Sequence, residues 1–463
     1  MNMWYLVLFL VLFVAGCPDR SISRDDPVQA GVHIKSIPVS ADIDLLFVID
    51  NSQSTRDKQA LFARNYLNFV AALDRFPGGR PNLHIGVVTT TVDIGGQASS
   101  PCHPASDQDG LFQNASRDAQ FACTPPTAER FLVDLAQPGG GRMTNYTGSL
   151  DQALSCISHA GDNGCGFEAP LEAIRRALDG SHAENEGFLR SGAFLAIVIL
   201  TDEDDCSANP ALFAQSSDVV GRDDFRCAQT AYRCDAPISP KAPGTYTGCR
   251  VRHDSFLNDP GDYAQFLSAR KDPSRIAVAL IAGDPTTSIA TGPLPLPFRQ
   301  DLALLPSCMT TIDRNLALGR PALRLVEFLG NFGDRDLFRT MYQNNYSQMI
   351  ADIGTLLSNA ISPCLEGELD TVDIDPANPG VQPDCTVSEL RDPDTDAQVE
   401  TQIPRCRMVA ADQPDLAGAS ACWWVKPNPA ACSTETQLEL HVERVALPAP
   451  NTVVRVSCAI APR

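Results

Sequence analysis

A chain of 463 residues, 44% of them hydrophobic, can bury a sizeable core and exceeds one small domain, so two globular parts are expected. Its formal charge of -20, from 56 acidic against 36 basic residues, excludes binding to phosphate backbones by charge and disfavours electrostatic adhesion to anionic lipid. No basic patch interrupts this balance, so nucleic acid is not an expected partner.

The N-terminus reads MNMWYLVLFLVLFVAGC. Its apolar run from Trp4 to Val14 is too short for a permanent membrane span, and the small residues Ala15 and Gly16 precede Cys17, the pattern of an export signal, although no Lys or Arg stands before the run. VAGC resembles the lipobox of bacterial lipoproteins. That resemblance implies a signal peptide over 1–17, with Cys17 lipidated and the mature chain anchored to the cell envelope, periplasmic or at the surface. Several acyl chains on one residue hold stably where one chain is marginal.

Sixteen cysteines in an exported chain point to disulfides. Setting Cys17 aside leaves an odd number, so one stays free or pairs outside the chain. Nearest-neighbour spacing pairs Cys102 with Cys123 and Cys156 with Cys165. Cys206, Cys227, Cys234 and Cys249 lack the paired spacing of a zinc site.

Residues 18–40 are polar, contain Pro and Gly, and read as a tether. IDLLFVID (43–50) is mostly apolar, as a central parallel strand covered on both faces should be. Phe62, Tyr66, Phe69 and Leu73 follow at helical spacing behind Ser54-x-x-Asp57, which resembles a capping box. LHIGVVTTT (83–91) predicts a second strand and RFLVDL (130–135) a short edge strand. Phe167, Leu171, Ile174 and Leu178 line one face of a helix with Pro170 near its start. FLAIVIL (194–200) is a strand, a Cys-rich insertion covers 206–250, and a helix near 261–270 leads to the strand IAVALIAG (276–283). LRLVEF (323–328) reads as a strand and 335–358 as a long amphipathic helix. The alternation predicts an α/β fold over 41–362 with a doubly wound, mostly parallel sheet. Past Cys364 the composition shifts. Residues 366–402 hold eleven acidic residues against one Arg, and ACWWV, LELHVERV and TVVRVSCAI read as short strands. A smaller β-rich, disulfide-stapled domain over 365–463, led by an acidic linker, is expected, with DPDTDAQVE (392–400) as a hairpin turn.

Ligands of open α/β sheets gather at the carboxyl edge of the strands. Asp50 ends one strand and Asp202 another, and Ser52 and Ser54 alternate in the loop after Asp50. If the strands are neighbours, two carboxylates and two hydroxyls meet, a hard-oxygen set suited to Mg²⁺ first, with Ca²⁺ or Mn²⁺ as alternatives. Asp50-x-Ser52-x-Ser54 after an apolar strand, with a later strand ending in Thr201-Asp202, resembles the von Willebrand factor A family and its metal-ion-dependent adhesion site. The resemblance implies that Ser52 and Ser54 ligate the metal, that Asp50 and Asp202 act directly or through water, and that a protein partner's acidic side chain completes the shell. The family's Thr has no counterpart in HAGDNGCGFE, where Asp162 stands nearest; GGRMTNYTGSL offers Thr144 or Thr147 instead. The implied function is adhesion or capture of a protein ligand by a lipid-anchored protein, with a structural scaffold in an envelope complex as the alternative. No nucleophile and base pair assembles, and no hydrolase or phosphate-loop motif occurs, so an enzyme is not expected.

Overall fold

The computed structural model describes residues 32–460 apart from 39–41, 77–78, 96–101, 103–107, 125, 138, 216–224, 296–301, 372–374, 376, 411, 433, 447 and 450. Cys17, the signal segment and most of the tether lie outside these residues.

Strand β2 (Asp42–Ile49) is buried from Ile43 onward, and its side chains alternate between two cores. Ile43, Leu45, Phe47 and Ile49 face one, and Leu46 and Val48 face the other. A strand covered on both faces is mostly apolar, which is why the sequence lacks alternation here; its one buried acid, Asp44, is held by Arg190. β2 pairs in parallel with β3 (Asn82–Thr89) on one side and with β6 (Phe194–Leu200) on the other. Beyond β6 lie the parallel strands Ile276–Ala282 and Asp336–Thr340; beyond β3 lie the antiparallel β4 (Leu132–Ala136) and β5 (Arg142–Thr144). The result is a mixed α/β fold around a seven-stranded, mostly parallel sheet. One face is covered by α1 (Arg56–Ala63), α2 (Tyr66–Leu73), α3 (Leu150–Ser158) and Ser347–Ala360. The other is covered by α4 (Pro170–Leu178), Phe225–Ala231, Pro260–Ser268 and Leu323–Leu329. Chain order reverses at β2 and β6, so their carboxyl ends form the crevice where such sheets take ligands.

Three expected elements differ. The helix after β2 is broken into α1 and α2 because Asn65 turns its amide onto the Leu61 carbonyl (2.9 Å), competing with the helix ladder. LRLVEF is helical, since Pro321 precedes it and the Asp204 carboxylate accepts from the backbone N–H groups of Arg324 (2.9 Å) and Leu325 (3.0 Å). A cap borrowed from a residue 120 positions away leaves no local signal. The long helix over 335–358 is instead the strand Asp336–Thr340 followed by Ser347–Ala360, because pairing with Val278–Ala282 claims the first segment.

The C-terminal region builds a four-stranded antiparallel sheet and the hairpin of Ala421–Pro427 with Leu438–Arg444. Part of the segment read as a tether joins it: β1 (Val32–Pro38) pairs antiparallel with Val453 to Ala459 of the strand Thr452–Ala459. The turn after Cys385–Arg391 is a hairpin turn, and its Asp394 is ion-paired with Arg275 of the α/β part. Seven disulfides join described cysteines. The nearest-neighbour pairing is corrected: Cys102 bonds Cys165 and Cys123 bonds Cys156, because the fold brings the 159–168 loop back over the strand ends. Cys206 bonds Cys227 and Cys234 bonds Cys249, closing the insertion, while Cys308 is free and buried. So many disulfides belong to an oxidising, extracytoplasmic environment. Among the described residues no helix is long and apolar enough to cross a membrane.

Candidate metal site at the strand ends

The parallel register of β2 and β6 pairs Ile49 with Leu200, so Asp50 and Thr201 leave the sheet side by side and Asp202 follows. Asp50 is fully buried and shapes the loop after it. Its Oδ1 accepts from the Ser52 N–H (2.8 Å) and its Oδ2 from the Thr201 hydroxyl (2.8 Å). This turn sets the hydroxyls of Ser52 and Ser54 3.1 Å apart. Ser54 is not a helix cap. Thr55 precedes α1, and its hydroxyl donates to the carbonyls of Asp50 and Ser52 (2.8 and 2.9 Å), which locks the loop and leaves both serine hydroxyls turned to each other. Ser52 is buried and Ser54 exposed, so the pair runs from the interior to the surface.

The 159–168 loop packs on this turn. The Gly164 N–H donates to the Asn51 carbonyl (2.7 Å), and Gln59 donates to the Gly161 carbonyl (2.8 Å). At the end of this loop Glu168 is 2% exposed; its carboxyl hydrogen-bonds Glu203 and lies near enough to Asp50 and Asp202 to feel their negative charge. Its Oε1 has no hydrogen-bond partner, and neither has Asp202 Oδ1. The remaining acids at the rim are satisfied. Asp202 Oδ2 holds Lys58 at 2.6 Å, Glu203 holds Arg320 at 2.7 Å, and Asp205 holds Arg324 at 2.9 Å. Asp204 accepts two backbone N–H groups and the Tyr232 hydroxyl.

Burial, and then the charge of Asp202, push the Asp50 carboxyl up to about 7. Burial, followed by Glu203 and Asp50, raises Glu168 well above the usual carboxylate range. Two buried acids that resist ionisation, two orphaned carboxylate oxygens and a facing pair of hydroxyls are oxygen donors of the kind a hard divalent cation takes. The residues present fit such an ion.

The structure brings Asp50, Ser52, Ser54 and Asp202 to one end of the sheet. Asp162 lies on the adjoining loop, but its half-exposed carboxylate is paired with Arg56 at 3.2 Å. Thr144 is not brought to the site: it is exposed at the end of β5, three strands from β2, and its hydroxyl donates to the Tyr146 carbonyl. Glu168 and Lys58 are the residues that sequence reasoning did not single out. Glu168 stands just before the Pro170 helix start, where a glutamate ordinarily reads as solvated, and Lys58 sits in a helix where a lysine does. A separate surface group, His253, Asp259 and Glu327, places its histidine between two carboxylates. Asp259 is also the cap of Pro260–Ser268, accepting from the Gly261 N–H, so this group has a structural role.

A Cβ on Gly164 would lie 2.4 Å from Asn51 Oδ1 and 2.6 Å from the Asn51 carbonyl oxygen. Gly164→Ala is therefore expected to push the 159–168 loop off the Asp50 turn. Divalent affinity measured by calorimetry should fall about tenfold or more, the size of loss seen when groups that orient ligands are disturbed.

No family model matches the chain, and comparison with curated proteins returns no match. Among solved structures, the chain is similar to a von Willebrand factor type A protein from Catenulispora acidiphila, with TM-score 0.27 and 9% identity over 94% of this chain and 65% of that one. It is also similar to the pilus adhesin RrgA from Streptococcus pneumoniae, with TM-score 0.29 and 11% identity over 92% of this chain and 57% of that one. The chain spans less than two thirds of the length of either.

Proposed function

We propose that this chain binds one divalent cation, Mg²⁺ first, between Asp50, Ser52, Ser54, Asp202 and Glu168, and uses it to capture a protein ligand through an acidic side chain. The observation that carries the reading is that one end of the sheet, at its reversal point, holds two buried carboxylate oxygens without hydrogen-bond partners, on Glu168 and Asp202, and the facing Ser52 and Ser54 hydroxyls. Glu168 takes the place left open by the missing threonine. The bound ion supplies a Lewis-acidic position for an outside carboxylate. The chain's own residues hold the ion and keep the approach at Ser54 open to solvent. Asp50 fixes the serine turn, Thr201 holds Asp50, and the Cys102–Cys165 disulfide fastens the loop carrying Glu168. Lipidation at Cys17 would tether this capture surface to the envelope.

The test is retention of short acidic peptides on the immobilised mature protein. Peptides carrying Asp or Glu should be held with Mg²⁺ or Mn²⁺ and released by chelator, while their Asn and Gln counterparts are not held. Retention that ignores chelator would contradict the reading.

The raised carboxyls give a pH dependence with a defined sign. The folded, metal-free chain keeps a proton on Asp50 up to about pH 7, which the unfolded chain releases near the ordinary value of 3.8. That contribution to stability is therefore fully present below the ordinary value and is lost as pH rises toward 7. A cation must displace the proton, so its affinity should fall by roughly tenfold per pH unit per proton below pH 7. Calorimetry in buffers of different ionisation heat should detect proton release; a flat affinity from pH 7 to 5 would count against Asp50 as a ligand.

A further inference from the structure

Lys58 is a buried cation placed inside this cluster of acids. It lies in the first turn of α1, 2% exposed, with Nζ 2.6 Å from Asp202 Oδ2 and 2.9 Å from the Ser54 carbonyl. Lys58 therefore holds one oxygen of Asp202, while the other, Oδ1, has no hydrogen-bond partner. Asp50, Asp202 and Glu168 bring three negative charges when ionised; Glu203 and Asp205 are already matched by Arg320 and Arg324. A divalent ion alone would leave the loaded site with a surplus negative charge, and such a site repels an acidic ligand.

We propose that Lys58 is the third positive charge of the loaded site: it neutralises the surplus carboxylate so that the bound metal can attract an acidic side chain, at the expense of metal affinity. The proposal rests on the metal-site reading above and adds a specificity role for a residue outside the metal's donor set. The physical basis is that a fixed cation a few ångströms from the metal weakens cation binding and favours anion binding through the same field.

Two affinities are measured on the full mature chain: Mn²⁺ by calorimetry, and acetate on the Mn²⁺-loaded protein by its effect on the Mn²⁺ relaxation of water protons. Lys58→Met is expected to bind Mn²⁺ about tenfold more tightly or better, and acetate about tenfold more weakly or worse. The double variant Lys58→Met with Asp202→Asn removes one charge of each sign, and both affinities should return toward wild type. It also keeps the test available should the single variant, with Asp202 left uncompensated, fail to fold. Unchanged affinities in Lys58→Met, a fall in both together, or a double variant that takes acetate no better than Lys58→Met overturns the proposal. If neither wild type nor variants bind Mn²⁺, the metal-site reading itself fails.

Discussion

Asp50→Asn is expected to lose divalent binding by at least about a hundredfold and, in the absence of metal, to unfold at a higher temperature than the native chain. The two effects have one cause. Asp50 is fully buried beside Asp202, and burial together with that neighbour holds its carboxyl near 7 instead of 3.8. Keeping it ionised costs roughly 4 kcal/mol at neutral pH, since each pKa unit is worth about 1.4 kcal/mol. An Asn of the same shape can still accept from the Ser52 N–H or the Thr201 hydroxyl but carries no charge to desolvate. Part of that cost, on the order of 1–3 kcal/mol, should reappear as stability, offset by the one acceptor the amide cannot supply. A site that destabilises its own empty state in order to hold a ligand is a recurrent trade. Thermal unfolding with chelator and with Mg²⁺ checks it: metal should stabilise the native chain and leave the variant unmoved. A variant less stable than the native chain without metal, or one still stabilised by Mg²⁺, would count against the account.

Arg324→Ala carries the second large effect, on stability. Arg324 and Asp205 are both completely buried. The guanidinium donates to the Asp205 carboxylate (2.9 Å), the Asp205 carbonyl (3.0 Å) and the Asn258 carbonyl (2.6 Å). The same Asp205 carboxylate accepts from the Leu171 N–H and the Ser207 hydroxyl, so one ion pair ties together the loop after β6, α4 and the helix Leu323–Leu329. Removing the arginine leaves a buried carboxylate without a counter-ion, and breaking such a pair costs about 3–5 kcal/mol. Because α4 begins at Pro170 directly behind Glu168, metal affinity should fall as well. Adding Asp205→Asn should recover part of the stability; a double variant no more stable than Arg324→Ala would show that the charge is not the cause.

The parallel sheet was legible because its central strands are mostly apolar without alternation, and helices intervene at the expected spacing. What escaped the sequence was decided by long-range pairing. The helix at 323–329 is capped by Asp204, β1 finds its partner more than 400 residues away at Thr452–Ala459, and the disulfides follow the folded-back loop and not the shortest spacing. At the site, Asp50, Ser52, Ser54 and Asp202 could be chosen because each stands at the end of a readable strand. Glu168 could not be chosen on its type: a glutamate before a helix is ordinarily solvated, and only its burial with an unpartnered oxygen sets it apart. Lys58 was hidden for the same reason, its partner Asp202 lying 144 positions away.

The central claim is tested most directly by crystals of the protein soaked in Mn²⁺ and measured for anomalous scattering. One peak is expected within bonding distance of the Ser52 and Ser54 hydroxyls, with Asp50, Asp202 and Glu168 completing the protein ligands. No peak there, or a peak confined to His253, Asp259 and Glu327, would contradict the account.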